Sequence, residues 1–556
     1  MSERIFIGVA WPYADGSLQL GNLAGADLPA DIFARYHRLR GNEVLMVSGS
    51  DQHGTPITLK AEQEGKNPRE IIDFYQRECL DCWQKLGISF DLFTGTHTSN
   101  HAQVTRDIFL KLLEKGYLYR NTVSQLYCPH CKRFLPDRYV EGICPFCKTP
   151  GARGDQCDAC GKPLNPTELI DPYCRICKTT PVFKDSEHFF LKLSAFQERL
   201  EKWAGEQTHW RPNVSGFTQR YLKEGLRDRA ITRDIEWGIP VPVEGFENKR
   251  IYVWFEAVIG YLSASKEWAA EINGDKDKWH NFWDEDKGAK SYYFLGKDNI
   301  PFHTIIWPAM LMGYGGLNLP TDVPANEFLT IEGKKISKSR NWAVWVPDYL
   351  SRYDPDPLRY VLSINMPENG DTDFSWREFV RRNNDELVAT YGNLVNRVLT
   401  FTYRNFGGCV PEPGPLDSRD KGILGDAERC LDEVGASIAA CSFKAAILRA
   451  MQLAQAANRY LDEKAPWKKI KEDRQAAATS LSTAIGVIAY LKTALYPFLP
   501  FSSQKVHEYL GFEGRLEDYG WQPALPAPGQ KLREPKPLFV KLEESIVEEE
   551  TRRLGA

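Results

Sequence analysis

Four Cys-x-x-Cys pairs, Cys128/Cys131, Cys144/Cys147, Cys157/Cys160 and Cys174/Cys177, fall within 50 consecutive residues of this chain. The chain opens Met1-Ser2-Glu3-Arg4-Ile5 with no signal-peptide pattern, so a cytoplasmic, reducing setting is expected and disulfides are not. Thiolates at this spacing grip one tetrahedral zinc from a tight turn, two pairs to an ion. Eight ligands make two four-cysteine sites, and Pro129 and Pro145 suit tight knuckles rather than helices. Three pairings of the pairs are open. The favoured one nests an inner site (Cys144, Cys147, Cys157, Cys160) inside an outer one (Cys128, Cys131, Cys174, Cys177), because nesting closes short loops without threading. Four thiolates leave no open coordination position, so the expected role is structural. Cys79 and Cys82 sit in an amphipathic stretch and read as core thiols. Cys409, Cys430 and Cys441 are isolated and read as packing.

At 556 residues the chain is too long for a single small binding module. With 42% apolar and 26% charged residues it is an ordinary globular mix, not a disordered chain. A net charge of -4 excludes a uniformly basic nucleic-acid coat but leaves room for local basic faces, such as residues 377–405 with five arginines against three acids. No apolar run approaches the length of a membrane span.

Residues 5–10 and 43–48 read as buried strands flanking a helix at about 23–39, a βαβ unit that implies a parallel sheet. Apolar spacing predicts helices over 67–86 and 99–115. The cysteine window interrupts this pattern, which resumes with a strand at 292–295 and a helix at 301–313. The expected fold is therefore α/β, split by a zinc-bearing insertion. Beyond about residue 376 the periodicity becomes helical throughout, an all-α domain. Residues 521–537 are proline-rich and read as an extended linker before a short charged tail.

Three segments sit where strands of such a sheet end, the edge at which open α/β sheets bind ligands. Pro12-Tyr13-Ala14-Asp15-Gly16 turns into a helix whose first turn carries Gln19, Gly21 and Asn22, with free N–H groups for phosphate. Gln19 and Asn22 are three apart, so both amides can face one ligand. Lys334-Lys335-Ile336-Ser337-Lys338-Ser339-Arg340 packs four cations into seven residues, a pattern suited to gripping phosphate and equally to a solvated loop. Asp51 and the run Gly296-Lys297-Asp298 each put a carboxylate just past an apolar strand.

In this order, with Tyr252-Val253-Trp254, Ile259-Gly260-Tyr261, Phe302-His303, Ala456-Ala457-Asn458-Arg459-Tyr460 and Ala465-Pro466-Trp467, the motifs resemble the methionyl-tRNA synthetases, class I aminoacyl-tRNA synthetases, in their two-zinc-knuckle form. The resemblance runs from about residue 4 to about 510. It implies a Rossmann-type catalytic domain (1–117 and 233–325), a connective insertion with the zinc knuckles (118–232), a junction that carries the Lys-Ile-Ser-Lys-Ser loop (326–385), a helical anticodon-binding bundle (386–520) and the linker and tail (521–556). The implied activity joins methionine to ATP as methionyl-adenylate and moves the methionyl group to the 3′ end of tRNA.

Family roles carry over residue by residue. Gln19, Asn22, Lys335 and Lys338 would serve catalysis; Gly21, Gly296, Asp298, Ser337 and Lys338 would bind ATP, taken with Mg2+. Asp51 would hold the methionine ammonium, and Trp11, Tyr13, Trp254, Ala257, Tyr261 and His303 would form the side-chain pocket. Aromatic walls suit a soft thioether, and Tyr261 and His303 would add polar contacts. Thr400, Arg404 and Trp467 would read the anticodon, Trp467 by stacking on a base. The family's His-x-Gly-His reads Gln19-Leu20-Gly21-Asn22 here. Asn22 is a mild change, but Gln19 replaces a residue that helps neutralise phosphate, so slower adenylate formation is expected, not abolition. The competing expectation is a retasked paralogue that binds tRNA or senses amino acid. Expected partners are initiator and elongator tRNA(Met), ATP and L-methionine, with no membrane; little length is left for the extension that dimerises some relatives, so a monomer is expected.

Overall fold

The computed structural model describes residues 2–135, 139–154, 157, 159–160 and 164–555. Strands β1 (Arg4–Val9), β2 (Glu43–Ser50) and β3 (Leu92–Gly95) come from the first part of the chain. A long ribbon, β4 (Leu118–Cys128) and β5 (Val182–Leu191), bounds the insertion. Strands β6 (Lys290–Gly296) and β7 (Ala325–Asn326) complete a five-stranded parallel sheet in the order β7-β6-β1-β2-β3. The chain steps from β1 to β2 on one side and returns through β6 on the other. The crevice past the end of β1 is thus the switch point at which α/β sheets bind ligands.

Alternation along each strand separates two cores. Ile5, Ile7, Val9, Met46 and Phe294 face the helix Leu28–Leu39 and the helical domain. Phe6, Leu45, Val47, Tyr293 and Leu295 face the other way, onto helices Ser99–Glu114, Gly260–Glu267 and Trp307–Tyr314. The first core runs on without a break into helices Asn393–Asn405, Ser418–Ala439, Phe443–Lys464 and Arg474–Leu495. At this seam Arg359 lies fully buried. Its guanidinium donates to Asp31 (2.6 Å) and to the carbonyls of Leu86, Pro497 and Phe498, tying helices of the α/β domain to the helical bundle.

Four features differ from the sequence reading. The helix Arg474–Leu495 is long and apolar enough to cross a membrane by length and composition alone, yet 83% of its apolar window is packed inside the bundle. Residues 521–537 are irregular and extended, but they are fastened along their length rather than acting as a free linker. Trp521 packs on Tyr36, and Gln530 and Leu532 bond the backbone of Val410 and Gly408. The tail forms a helix, Ser545–Arg553, whose buried Glu550 accepts from Arg352 (2.8 Å) and Tyr353 (2.8 Å). Part of the basic run 377–405 is also paired off, since Arg381 and Arg382 pair with Glu378 and Glu386.

Candidate active site and metal centres

Two cavities open at the crevice. The larger, about 420 Å³, is lined by Gln19, Gly21, Asn22, Gly296, Asp298, Lys335 and Lys338. The smaller, about 220 Å³, is lined by Trp11, Tyr13, Asp51, Trp254, Ala257, Tyr261 and His303. Both share Ala10, Trp11, Pro12, Asn22, Asn299 and Lys338, so a ligand group in one can meet a ligand group in the other.

Trp11 follows β1 and is wedged where only glycine leaves room. A Cβ at Gly49 or Gly260 would stand 2.5 or 2.6 Å from its ring. Trp254 stacks on Phe302 (4.4 Å between centroids, 15° between planes), and Tyr13 meets Trp254 edge-on at 6.0 Å. Burial holds His303 down to about 4, so its imidazole is neutral at ordinary pH. Its Nδ1–H donates to the Asn299 carbonyl (2.9 Å), which leaves Nε2 to accept from the Tyr261 hydroxyl (2.7 Å). The donors expected to reach a ligand from these two residues are therefore spent on each other and on the backbone. They shape and stiffen the pocket floor instead.

Asp51 is 3% exposed just past β2. Burial pushes its carboxyl well above the usual range, with Glu256 and Asp15 adding to the push. A carboxylate held this way gains most from a cation placed against it.

In the larger cavity, Gln19 caps the helix that follows: its Oε1 accepts from Gly21 N–H, while Asn22 Oδ1 accepts from Gln19 N–H (3.1 Å). The oxygens being used this way, the two amide NH2 groups are what remains to offer a ligand. The chain then takes a π-helical turn, Leu23–Asp27, that brings Gly25, Ala26 and Asp27 to the cavity wall; a second, Phe302–Ile306, brings Phe302 and His303 to the smaller one. Lys338 reaches across and pairs with Asp15 (3.0 Å), closing the basic loop over the first turn. Ser337 does not line the cavity; its hydroxyl accepts from Arg340 (3.2 Å).

At the far end of the β4–β5 ribbon the eight cysteine sulfurs gather into two sets, Cys128, Cys131, Cys174 and Cys177, and Cys144, Cys147, Cys157 and Cys160. The ribbon's register, Leu118 opposite Leu191 through Tyr127 opposite Val182, is what carries Cys128 to Cys177. Neighbouring sulfurs lie 3.4–3.9 Å apart. Zn–S bonds of about 2.3 Å in a tetrahedron require about 3.8 Å between sulfurs, so both sets fit that ion. Lys132, Lys148 and Lys178, each directly after the second cysteine of a pair, take positive φ (54°, 62° and 60°) to turn the knuckle.

Residues 5–399 match the family described as "tRNA synthetases class I (M)", and residues 410–556 match "Anticodon binding domain of methionyl tRNA ligase". The chain belongs to the class I methionyl-tRNA synthetase family. It is 63% identical over 555 residues to a methionine–tRNA ligase of Dehalococcoides mccartyi (strain BAV1) and 54% identical over 583 residues to one of Thermomicrobium roseum, each covering 100% of both chains. Its fold matches a methionyl-tRNA synthetase of Mycobacterium tuberculosis bound by methionyl-adenylate with a TM-score of 0.80, at 23% identity, over 97% of this chain and 100% of that one.

In the synthetase's helical domain, Arg404 is exposed and Thr400 half-buried on the helix Asn393–Asn405. One turn earlier stands Arg397, whose guanidinium lies 4.2 Å over the Trp467 ring. Arg397 escaped the sequence reading because its partner is 70 residues away in sequence. Asn299, Phe302, Glu327, Phe328 and Asp371 line the cavities as well and were missed as site residues. For Asn299 and Phe302 a signal existed, since both lie in the segment after β6 that resembles the family.

Proposed function

We propose that this chain activates methionine with ATP and transfers the methionyl group to tRNA(Met), and that the junction of the two cavities is where the first bond forms. The observation that carries this is the sharing of Ala10, Trp11, Pro12, Asn22, Asn299 and Lys338 by an aromatic pocket holding Asp51 and a larger, phosphate-suited cavity. Methionine's side chain fills the box of Trp11, Tyr13, Trp254, Ala257, Tyr261 and His303, and its ammonium pairs with Asp51. Its carboxylate then points at the shared opening. There a carboxylate oxygen attacks the α-phosphorus of ATP, the bond from that phosphorus to the bridging oxygen breaks, and pyrophosphate leaves. The protein supplies position and charge rather than covalent help. Gln19 and Asn22 amides and Lys335 and Lys338 stabilise the phosphate oxygens, and Gly296 and Asp298 meet the ribose. Mg2+ accompanying ATP would neutralise further phosphate charge. In the second step a hydroxyl of the terminal tRNA ribose attacks the adenylate carbonyl carbon and AMP leaves.

Both four-cysteine sets hold zinc in this reading, supported by their sulfur spacing. They act structurally, since four thiolates close the coordination shell. Thr400, Arg404 and Trp467 read the anticodon of initiator and elongator tRNA(Met), in the cytoplasm. The chain is taken to act as a monomer, a reading supported by the lining of both cavities by residues of this one chain. The domain limits given by resemblance follow the same division, with Ser337 left as a support of the loop. The test is methionine-dependent ATP–pyrophosphate exchange, followed by charging of both tRNAs and light scattering for mass. Exchange and charging are expected. Exchange without charging would make the chain a retasked activating enzyme, and neither activity would overturn the reading.

A further inference from the structure

Behind the wall of the smaller cavity lies a buried chain of polar groups to which the chemistry above gives no part. Glu256 is 0% exposed, and its Oε1 lies 2.7 Å from His53 Nδ1. His53 Nε2 lies 3.0 Å from His97 Nδ1, and the His97 ring lies flat on Trp237 at 4.4 Å. Trp237 returns its indole N–H to the carbonyl of Gln52 (2.8 Å). On the other side of Glu256, His101 Nε2 stands 3.9 Å from Oε2, beyond hydrogen-bond reach. Among the described residues Oε2 has no hydrogen-bond partner, so His53 alone satisfies this carboxylate. Burial holds His97 at about 4 and His101 at about 3, which keeps both neutral and unable to offset its charge.

A buried carboxylate with one partner is costly, and a glutamine or an apolar residue would avoid much of that cost. The groups that the pair joins explain its presence. His53 donates its backbone N–H to Asp51 Oδ1 (3.2 Å), so its position sets the direction of that carboxylate. Glu256 ends the short helix Val253–Glu256, between Trp254 and Ala257 of the side-chain pocket. The two are 203 residues apart and belong to the two halves of the split sheet domain, with the whole cysteine insertion between them.

We propose that Glu256 and His53 are positioning residues that set the distance between the ammonium-holding Asp51 and the thioether pocket, and so fix the length of amino acid the site accepts. This rests on the methionine reading above. A slack strut lets Asp51 drift from the aromatic box, and a ligand held at both ends then loses one of its two attachments. The larger cavity proposed for ATP is lined by neither Asp51 nor Trp254, and by neither member of the pair, so ATP binding is expected to respond far less to it.

The experiment measures pyrophosphate exchange by the zinc-loaded full chain, varying methionine and ATP separately, for wild type, Glu256→Gln, His53→Gln and His53→Asn. Asparagine keeps an N–H near the Nδ1 position and rescues the bond, whereas glutamine places its amide near Nε2. Losing a buried hydrogen bond to a charged group costs roughly tenfold or more. The KM for methionine is therefore expected to rise about tenfold or more in Glu256→Gln and His53→Gln. The KM for ATP is expected to stay within about twofold, with His53→Asn close to wild type. Thermal midpoints are recorded for all, and if Glu256→Gln does not fold the two His53 variants decide. Equal movement of both KM values, an unmoved methionine KM, or His53→Asn as impaired as His53→Gln would overturn the proposal. A wild type without methionine-dependent exchange would instead overturn the reading on which it rests.

Discussion

Replacing Gln19 by alanine separates two jobs that one side chain performs. Its Oε1 caps the helix N-terminus by accepting from Gly21 N–H, and its side chain lines the larger cavity, where its NH2 group is left to donate. Loss of an N-cap costs about 1 kcal/mol, within a range of about 0.5–2 kcal/mol. For a domain of this size that is a fall of about 2–4 °C in thermal midpoint per kcal/mol. Loss of a donor aimed at charge that develops in the transition state costs about 10²–10³ in rate, or about 2.7–4 kcal/mol. Gln19→Ala should therefore lose far more in adenylate formation than in stability. Gln19→His restores a donor that can carry charge but loses the amide oxygen of the cap. It is expected to form adenylate faster than the natural protein while melting slightly lower. Single-turnover quench measurements of adenylate, beside thermal unfolding of the same preparations, read both effects. A Gln19→Ala rate within about threefold of wild type would refute the donor argument, and a Gln19→His rate no higher than wild type would refute the charge argument.

Asp31 is buried between Arg35 (2.9 Å) and Arg359 (2.6 Å), so Asp31→Asn leaves two buried cations facing each other and should cost about 3–5 kcal/mol by denaturation, against under 1 kcal/mol for an exposed pair such as Arg419–Glu463; a loss below about 1 kcal/mol would count against the seam being held this way. Burial raises the Asp31 carboxyl, but Arg35 and Arg359 outweigh it and hold it at about 2, below its ordinary 3.8. A depressed carboxyl stabilises the fold above its unfolded value and loses that contribution as pH falls through its folded one, so an acid titration should show the loss between about pH 4 and pH 2, and Asp31→Asn should lack it. Metal analysis should find two zinc ions per chain and one in Cys144→Ser, with the outer set intact; one ion in the wild type would contradict the fit of both sets. Trp467→Ala should raise the KM for tRNA by about 5–150-fold, the equivalent of about 1–3 kcal/mol of stacking, with pyrophosphate exchange unchanged. Arg397→Ala should do the same more weakly, as expected of about 0.5–1 kcal/mol of cation–π contact. A parallel fall in exchange would place these residues in the fold rather than in tRNA reading.

Much of the molecule is local enough to be read from the chain in order. A Cys-x-x-Cys pair is a chelating turn by itself, strands buried on both faces betray themselves as unbroken apolar runs, and helix periods repeat every few residues. For this reason the split α/β plan and the helical domain were legible without coordinates, whereas the site side chains were named through the family resemblance, which missed Asn299, Phe302, Glu327, Phe328 and Asp371. Ligand edges were legible too, because a carboxylate directly after a strand, as at Asp51 and Asp298, needs no distant partner to mark it.

What the sequence left open depends on contacts between segments far apart, and contact energies carry no sequence label. The nesting of the two cysteine sets follows from the β4–β5 ribbon register, which is a long-range pairing. Packing alone turned the presumed linker at 521–537 into a strap and paired off the arginines at 381 and 382. Tyr261 and His303 were expected to add polar contacts to a ligand, and only the fold shows them bonded to each other. Nothing in the order of the chain singles out His53 or Glu256, 203 residues apart. Only the closing of the sheet around its insertion brings them within hydrogen-bond distance, since a fold creates proximity that chain order does not contain.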